Sequence, residues 1–402
     1  MNNNWKKNFL IIWAGQGISI FTSAVLQMAI VWYLTDKTQS ALVLTMATLI
    51  GYIPRVILGP LAGVFIDKYS RKYIMIISDC FIMLISLLLI VMGRNGEVPV
   101  GVILFVLFAR SVGAAFHNPS LEAATPMLVP KEELTRYAGA SQGVESISIL
   151  LSPGVAALLF SALDLSQMVL FDVGGAVIAV GTLLCVTIPA AVEKQKMQKR
   201  HIMAEVKDGI TAIKRVPGLG SLVFISALYA IIYFPIGTLF PLISMNYFQG
   251  SFRMSGIVET VFAVGMLLGS MILSFYGSRI AKDKAISFAI GLYGAGLLVT
   301  GLLPADGINI FIILCFFMGI SIPFYRGVKL AIIQAKVEKE YMGRVLSLTT
   351  SLQNLAMPAG LLLAGAFAEV VGVNRWFLLS GILSLVLMLV SRMLPSFRKC
   401  GE

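Results

Sequence analysis

Arg110, Glu145, Asp172 and Glu259 sit in stretches that are otherwise apolar, where an ionised side chain must find a partner or a task. Arg110 lies eight residues from the end of its stretch near position 118, and Glu145 seven from the start of its own near 138. At about 1.5 Å of rise per residue, both are ~11 Å inside the apolar layer on consecutive helices, so they are placed to pair. Burial and the guanidinium act in opposite senses on the proton affinity of that carboxyl, so its protonation could follow conformation. Such a group can carry a proton. A permanent structural ion pair is the alternative, and the residues alone leave both open. Asp172 and Glu259, in the outer thirds of their stretches, are further proton-carrying candidates, or else reach back to the interface. Arg55 lies nearer the middle of its stretch, and Arg326 and Lys329 also fall inside one.

Metal and nucleotide chemistry find no support. Cys80, Cys185, Cys315 and Cys400 have neither zinc-ligand nor C-x-x-C spacing, so no metal site is expected. No G-x-x-x-x-G-K-[ST] run is present to cradle ATP phosphates, and no cofactor is expected; energy would come from an ion gradient or a partner ATPase. His117 with Glu122 four intervening residues later is a weak acyltransferase-like pattern, so an enzyme is a remote alternative.

The elements that must hold these groups are membrane helices. Hydrophobic residues make up 58% of the 402-residue chain and charged residues 13%, far from the roughly half and quarter of a soluble domain. Apolar spans are read at 8–34, 41–66, 73–93, 98–118, 138–162 and 166–189, then 218–247, 255–277, 285–303, 307–330, 345–370 and 375–394. Each is near the ~20 residues a helix needs to cross a bilayer. Landmarks repeat between the two sets. Gly63 recurs as Gly269, Gly113 as Gly319, and Ser152-Pro153-Gly154 as Met357-Pro358-Ala359-Gly360, about 205 residues later. The predicted fold is an all-α integral membrane protein of twelve transmembrane helices in two pseudo-symmetric six-helix bundles. Residues 1–189 form the first bundle and 218–402 the second. Residues 190–217 connect them, either as a plain linker or as an amphipathic surface helix.

The net charge of +11 follows this topology rather than nucleic-acid binding. With Lys6 and Lys7 set inside, 23 of the 31 Lys and Arg fall on the inner side. Only Lys37, Arg94, Arg253 and Arg375 fall outside; Arg55, Arg110, Arg326 and Lys329 lie within spans. Positive residues collect on the cytoplasmic side, so both termini are expected there. Gln16, Gln27, Thr22 and Ser23 give the first span a polar stripe. Together with Arg55, Tyr229, Tyr233 and Phe234, Gln16 and Gln27 are the candidate residues of a substrate cavity, although a glutamine can equally bond a neighbouring helix and aromatic stripes also pack cores.

Between the second and third spans runs Gly63-Val-Phe-Ile-Asp67-Lys68-Tyr-Ser70-Arg71-Lys72. It resembles the signature loop of the major facilitator superfamily, G-x-x-x-D-(R/K)-x-G-R-(R/K), with Ser70 in place of a glycine. The resemblance implies that Gly63, Asp67, Lys68, Arg71 and Lys72 form a cytoplasmic latch, Asp67 facing the start of the eleventh span near Gly343 to Val345. Arg110-Ser-Val-Gly113 resembles the fourth-helix motif of the superfamily. Ser152-Pro153-Gly154 retains only the proline of the exporter motif of the fifth helix.

Longer stretches narrow the likeness. Ile12-Trp13-Ala14-Gly15-Gln16, Ala115-Phe116-His117, Leu128-Val129-Pro130, Pro323-Phe324-Tyr325, Gly343-Arg344-Val345 and Trp376-Phe377-Leu378-Leu379-Ser380-Gly381 are similar to the macrolide-efflux (Mef) proteins of Gram-positive bacteria. That resemblance implies a proton-driven exporter in the bacterial cytoplasmic membrane, acting on large amphipathic, often cationic, drugs. A monomer is expected, with Glu145, by its depth beside Arg110, as the first coupling candidate. An ABC-type partner is conceivable by the same resemblance, but no docking surface is readable. Import of a nutrient on the same fold is the main alternative. The abundance of Met (19) and Phe (24) suits a greasy, adaptable site better than a sugar site.

Overall fold

The computed structural model describes residues 4–94, 96–130, 133–188, 210–276, 281–338 and 341–399. Among the described residues there is no strand, and twelve long helices follow one another. They are α1 (Asn4–Thr38), α2 (Ala41–Lys68), α3 (Arg71–Gly93), α4 (Val100–Leu128), α5 (Leu134–Phe160) and α6 (Leu165–Cys185), then α7 (Leu219–Leu242), α8 (Phe252–Tyr276), α9 (Lys282–Leu302), α10 (Ile308–Lys336), α11 (Met342–Val371) and α12 (Val373–Met393). A short turn, α13 (Pro395–Arg398), closes the chain's described part, and α7 runs into a π-helical turn at Ile243–Tyr247. Eleven of the helices carry an apolar stretch long enough to cross a membrane, and α5 carries a shorter one at Ser146–Phe160. Helices are the natural outcome, since in lipid every backbone N–H and C=O must be satisfied within its own segment. Large apolar side chains accordingly face outward, as at Ile77 (67% exposed), Phe275 (78%) and Val370 (85%).

Several helices run past their expected ends, two of them by six residues or more. α4 continues to Leu128 rather than 118, and α10 to Lys336 rather than 330. Polarity marks where hydrocarbon ends and not where a helix must end; α4 continues through Pro119 and Pro126, each of which costs it one ladder hydrogen bond. Of the connector at 190–217, residues up to 209 lie outside the described residues, and 210–215 are helical.

The chain divides into two compact units. One holds residues 1–38 and 47–193; the other holds 39–46 and 194–402. Within the first, α1 packs on α6 and α5, and α3 on α4 and α6. Within the second, α7 packs on α12 and α11, and α9 on α10 and α12, the same pattern six helices later. Internal prolines repeat as well, Pro153 in α5 and Pro358 in α11. Phe9, Ile12 and Trp13 of α1, Met75 of α3, Leu121 and Leu128 of α4 and Leu183 of α6 form one buried apolar cluster of the first unit.

In the second unit, glycine brings α8 and α10 into backbone contact. A Cβ on Gly319 would stand 2.1 Å from the carbonyl oxygen of Phe262, and one on Gly269 2.5 Å from that of Ile320. In a membrane such close approach supplies the dispersion contact that holds helices together. Gly319→Leu is therefore expected to separate α8 from α10 and to destabilise the protein by about 1–3 kcal/mol, as overpacking does elsewhere. Unfolding in detergent would check this; an unchanged midpoint would contradict it.

Candidate functional site

Four helices of the first unit meet at one buried polar cluster. Arg110 of α4 donates from Nη1 to Asp172 Oδ2 of α6 at 2.6 Å. Asp172 Oδ1 accepts from the Ser23 hydroxyl of α1, also at 2.6 Å. Arg110 Nη1 also donates to the Ser86 hydroxyl of α3, and Nη2 lies 3.4 Å from Ser23 Oγ. Ser86 in turn donates to the carbonyl of Ile82 at 2.8 Å. The two charged side chains are 11% and 3% exposed, so water contributes little to solvating them. A buried pair survives only if further hydrogen bonds occupy its remaining donors and acceptors, and the two serines do this.

The guanidinium's carboxylate partner among the described residues is thus Asp172. The expected partner, Glu145, has its side chain outside the described residues. Asp172, 2% exposed, does not reach back to an interface. Measuring depth from the other side of the membrane brings Asp172 into reach of Arg110. Arg110 is ten residues from Val100 and Asp172 seven from Leu165, so the ends of α4 and α6 on the other side place them at similar depth.

A second rung lies one heptad away. Asp79 and Ser86 are seven residues apart on α3, and Arg110 and His117 seven apart on α4, so each pair shares a helix face. His117 Nε2 stands 3.2 Å from Asp79 Oδ1, with both residues buried. The His117 Nδ1 atom lies 3.5 Å from Asn118 Oδ1. Asp79 and Ser86 are not among the sequence-predicted site residues, although the matched spacing of seven on adjacent helices is a usable signal.

In the second unit, Tyr229, Tyr233 and Phe234 of α7 line a cavity of about 250 Å³, with Tyr325, Arg326 and Lys329 of α10 and Gln353 of α11. Tyr229 and Tyr325 are packed with centroids 4.5 Å apart, and Tyr229 stacks on Tyr233 at 5.9 Å. Lys329 Nζ donates to Gln353 Oε1 at 2.9 Å. The Gln353 amide nitrogen donates to the Tyr325 hydroxyl at 3.4 Å. Arg326 lies over the Tyr233 ring at 5.6 Å. The cavity aromatics named from sequence therefore do share one cavity, while Arg326, Lys329, Tyr325 and Gln353 were not recognised as its polar lining. Arg326 and Lys329 are three apart on one helix, which is enough to place them on one face.

The remaining candidates are dispersed. Gln16 is fully buried and its amide atoms have no hydrogen-bond partner among the described residues, whereas Gln27 and Arg55 are exposed. Glu259, on α8, keeps a buried Oε1 without a partner among the described residues and does not line the cavity. In the signature loop, the side chains of Gly63 and Asp67 lie outside the described residues. Lys68 is exposed and lies over the Tyr69 ring at 5.3 Å. Arg71 donates to the Ala123 carbonyl near the end of α4 at 3.0 Å, and Lys72 to Leu184 O and Val186 O at the end of α6 at 3.2 and 2.8 Å. Lys72 thus caps the C-terminus of α6, where orphan carbonyls and the helix dipole favour positive charge, and Arg71 binds within the last two turns of α4, both inside their own unit. Among the described residues no group of three His, Cys, Asp or Glu could hold a metal.

Comparison with known proteins fits this geometry. Residues 5–400 match the family described as transmembrane secretion effector, a group of major facilitator superfamily transporters. Macrolide efflux protein A of Streptococcus pyogenes is 46% identical over 397 residues, covering 99% of this chain and 98% of that protein. Macrolide efflux protein A of Enterococcus faecalis is 43% identical over 322 residues, covering 80% and 99%. The crystal structure of the nucleoside transporter NupG superposes with a TM-score of 0.74 at 14% identity over 98% of this chain and 98% of that one, a likeness of fold alone. A multi-pass helical membrane chain matched from end to end by efflux proteins is a transporter and not an enzyme: it belongs to the transmembrane secretion effector family and is an efflux transporter of the major facilitator type.

Proposed function

We propose that this chain exports amphipathic drugs, macrolides first among them, across the bacterial cytoplasmic membrane in exchange for protons, with both termini in the cytoplasm. It would act as a monomer without a cofactor, in keeping with a sequence that has no nucleotide-binding motif. The Arg110–Asp172 pair with Ser23 and Ser86 carries this reading. On this reading the carboxylate, held by one arginine and one hydroxyl, switches between two arrangements. Deprotonated, it binds Arg110; protonated, it releases the guanidinium, and four helices lose the charge that draws them together. Proton binding and helix arrangement are then linked, which is what coupling requires. The 46% identity to a macrolide efflux protein supports the cargo. Asp172 thereby replaces Glu145 as the first coupling candidate.

The test is erythromycin retention in drug-sensitive cells expressing the chain, with and without a protonophore. Lower retention that the protonophore abolishes is expected, and Glu145→Gln should leave it largely intact whereas Asp172→Asn should not. Unchanged retention with properly inserted protein would send the search to other amphipathic cargo.

A further inference from the structure

Four cations lie inside membrane spans, yet among the described residues only one has a carboxylate partner. Arg110 is paired with Asp172. Among the described residues, no carboxylate lies within ion-pair distance of Arg55, Arg326 or Lys329. Two of these three line the same cavity, and no described Asp or Glu lines it with them. An uncompensated cation inside a bilayer is expensive, so two together mark a site whose negative charge comes from elsewhere.

We propose that the cavity of the second unit is a binding site for the anionic head, above all a carboxylate, of an amphipathic molecule. The site is equipped for it. Lys329 already spends one N–H on Gln353, which fixes its ammonium and leaves its other protons for a ligand. Arg326 offers a planar fork that matches a carboxylate in two hydrogen bonds, and Tyr233 supports its guanidinium face. The Tyr229 hydroxyl belongs to a residue 1% exposed and has no hydrogen-bond partner among the described residues, although Tyr229 lines the cavity. A buried phenol left so is an available donor to the same ligand. The rest of the wall, Tyr233, Phe234, Leu330 and Ile333, is aromatic and aliphatic, suited to the apolar body next to the head. A volume of about 250 Å³ is below the ~300–1,000 Å³ of a pocket enclosing a whole drug-sized ligand. The cavity therefore takes the head and its adjoining segment, not the entire molecule. A protonated amine would meet two like charges here and be rejected.

This inference goes beyond the macrolide reading: a macrolide carries a protonated amine and no carboxylate, so the site takes a second, anionic class of amphipathic molecule, and the two claims stand or fall separately. The test uses the full chain purified in uncharged detergent and the fluorescent probe 11-(dansylamino)undecanoic acid, beside its methyl ester and the corresponding amine. The acid is expected to bind at least about tenfold more tightly than the ester or the amine, the scale of one good charge-assisted contact. Arg326→Gln and Lys329→Gln should each remove most of that preference, bringing acid binding down toward that of the ester in the same variant, and Arg326→Lys should restore part of it. Equal binding of acid and ester, or a preference that both variants keep, would overturn the proposal. Macrolide retention in cells separates the two claims. Charge-dependent acid binding without macrolide export would leave the site standing and change the cargo. Macrolide export without charge-dependent acid binding would remove the site alone.

Discussion

Asp172→Ala is expected to destabilise the protein by about 3–5 kcal/mol, because Arg110 then stays buried without its carboxylate. The side chains are 11% and 3% exposed, so solvent cannot take over from the lost partner. Arg110→Met combined with Asp172→Leu should recover most of that loss, since replacing both charges by apolar groups of similar size is often neutral. The double variant would then separate two roles. If the pair only holds helices together, restored stability brings restored export. On the coupling account, the refolded double variant still fails to export uphill. Unfolding in mixed micelles and drug retention, measured on the single and double variants, decide between them. A single variant as stable as the parent would contradict the burial argument at its root.

The second rung gives the next largest effect. Asp79→Ala removes the carboxylate that stands 3.2 Å from buried His117 Nε2, and a loss of about 1–3 kcal/mol is expected. A double-mutant cycle of Asp79→Ala with His117→Ala should show strong non-additivity, because the atoms stand 3.2 Å apart. The same cycle between Asp79 and Asp172 should be close to additive, since seven residues along α3 separate the rungs by about 10 Å. Strong coupling between the two rungs would instead make them one network and enlarge the coupling site. Measured stabilities of four variants in each cycle distinguish these outcomes.

Helices of ~20 apolar residues announce themselves by length and composition, so α1 to α12 are legible to within several residues. Their ends are less so: α4 and α10 outrun the hydrocarbon, α4 staying helical even through Pro119 and Pro126. The repeat is legible too, because Pro153 and Pro358 fall at matching places in α5 and α11. Side-chain partnership is harder. Sequence places a charge along a helix axis but does not say which of three neighbouring helices its face meets. Depth from the cytoplasmic side points Arg110 only to α5, and its contact with Asp172 of α6, beside Ser23 of α1 and Ser86 of α3, is not readable that way. The motif resemblance assigns Arg71 and Lys72 to a latch, while their observed carbonyl partners at the ends of α4 and α6 lie in the same unit. Tyr229 and Tyr233, four apart on α7, share a face by a rule that needs no neighbour, and with Phe234 they line one cavity.

The central claim is that protons drive export through Asp172 held by Arg110. It is tested most directly by reconstituting the purified chain in vesicles loaded with a pH-sensitive dye and imposing an erythromycin gradient without a pre-formed pH gradient. The account expects drug-dependent proton movement from the parent chain and none from Asp172→Asn at matched reconstitution. Proton movement that persists undiminished in Asp172→Asn would contradict it.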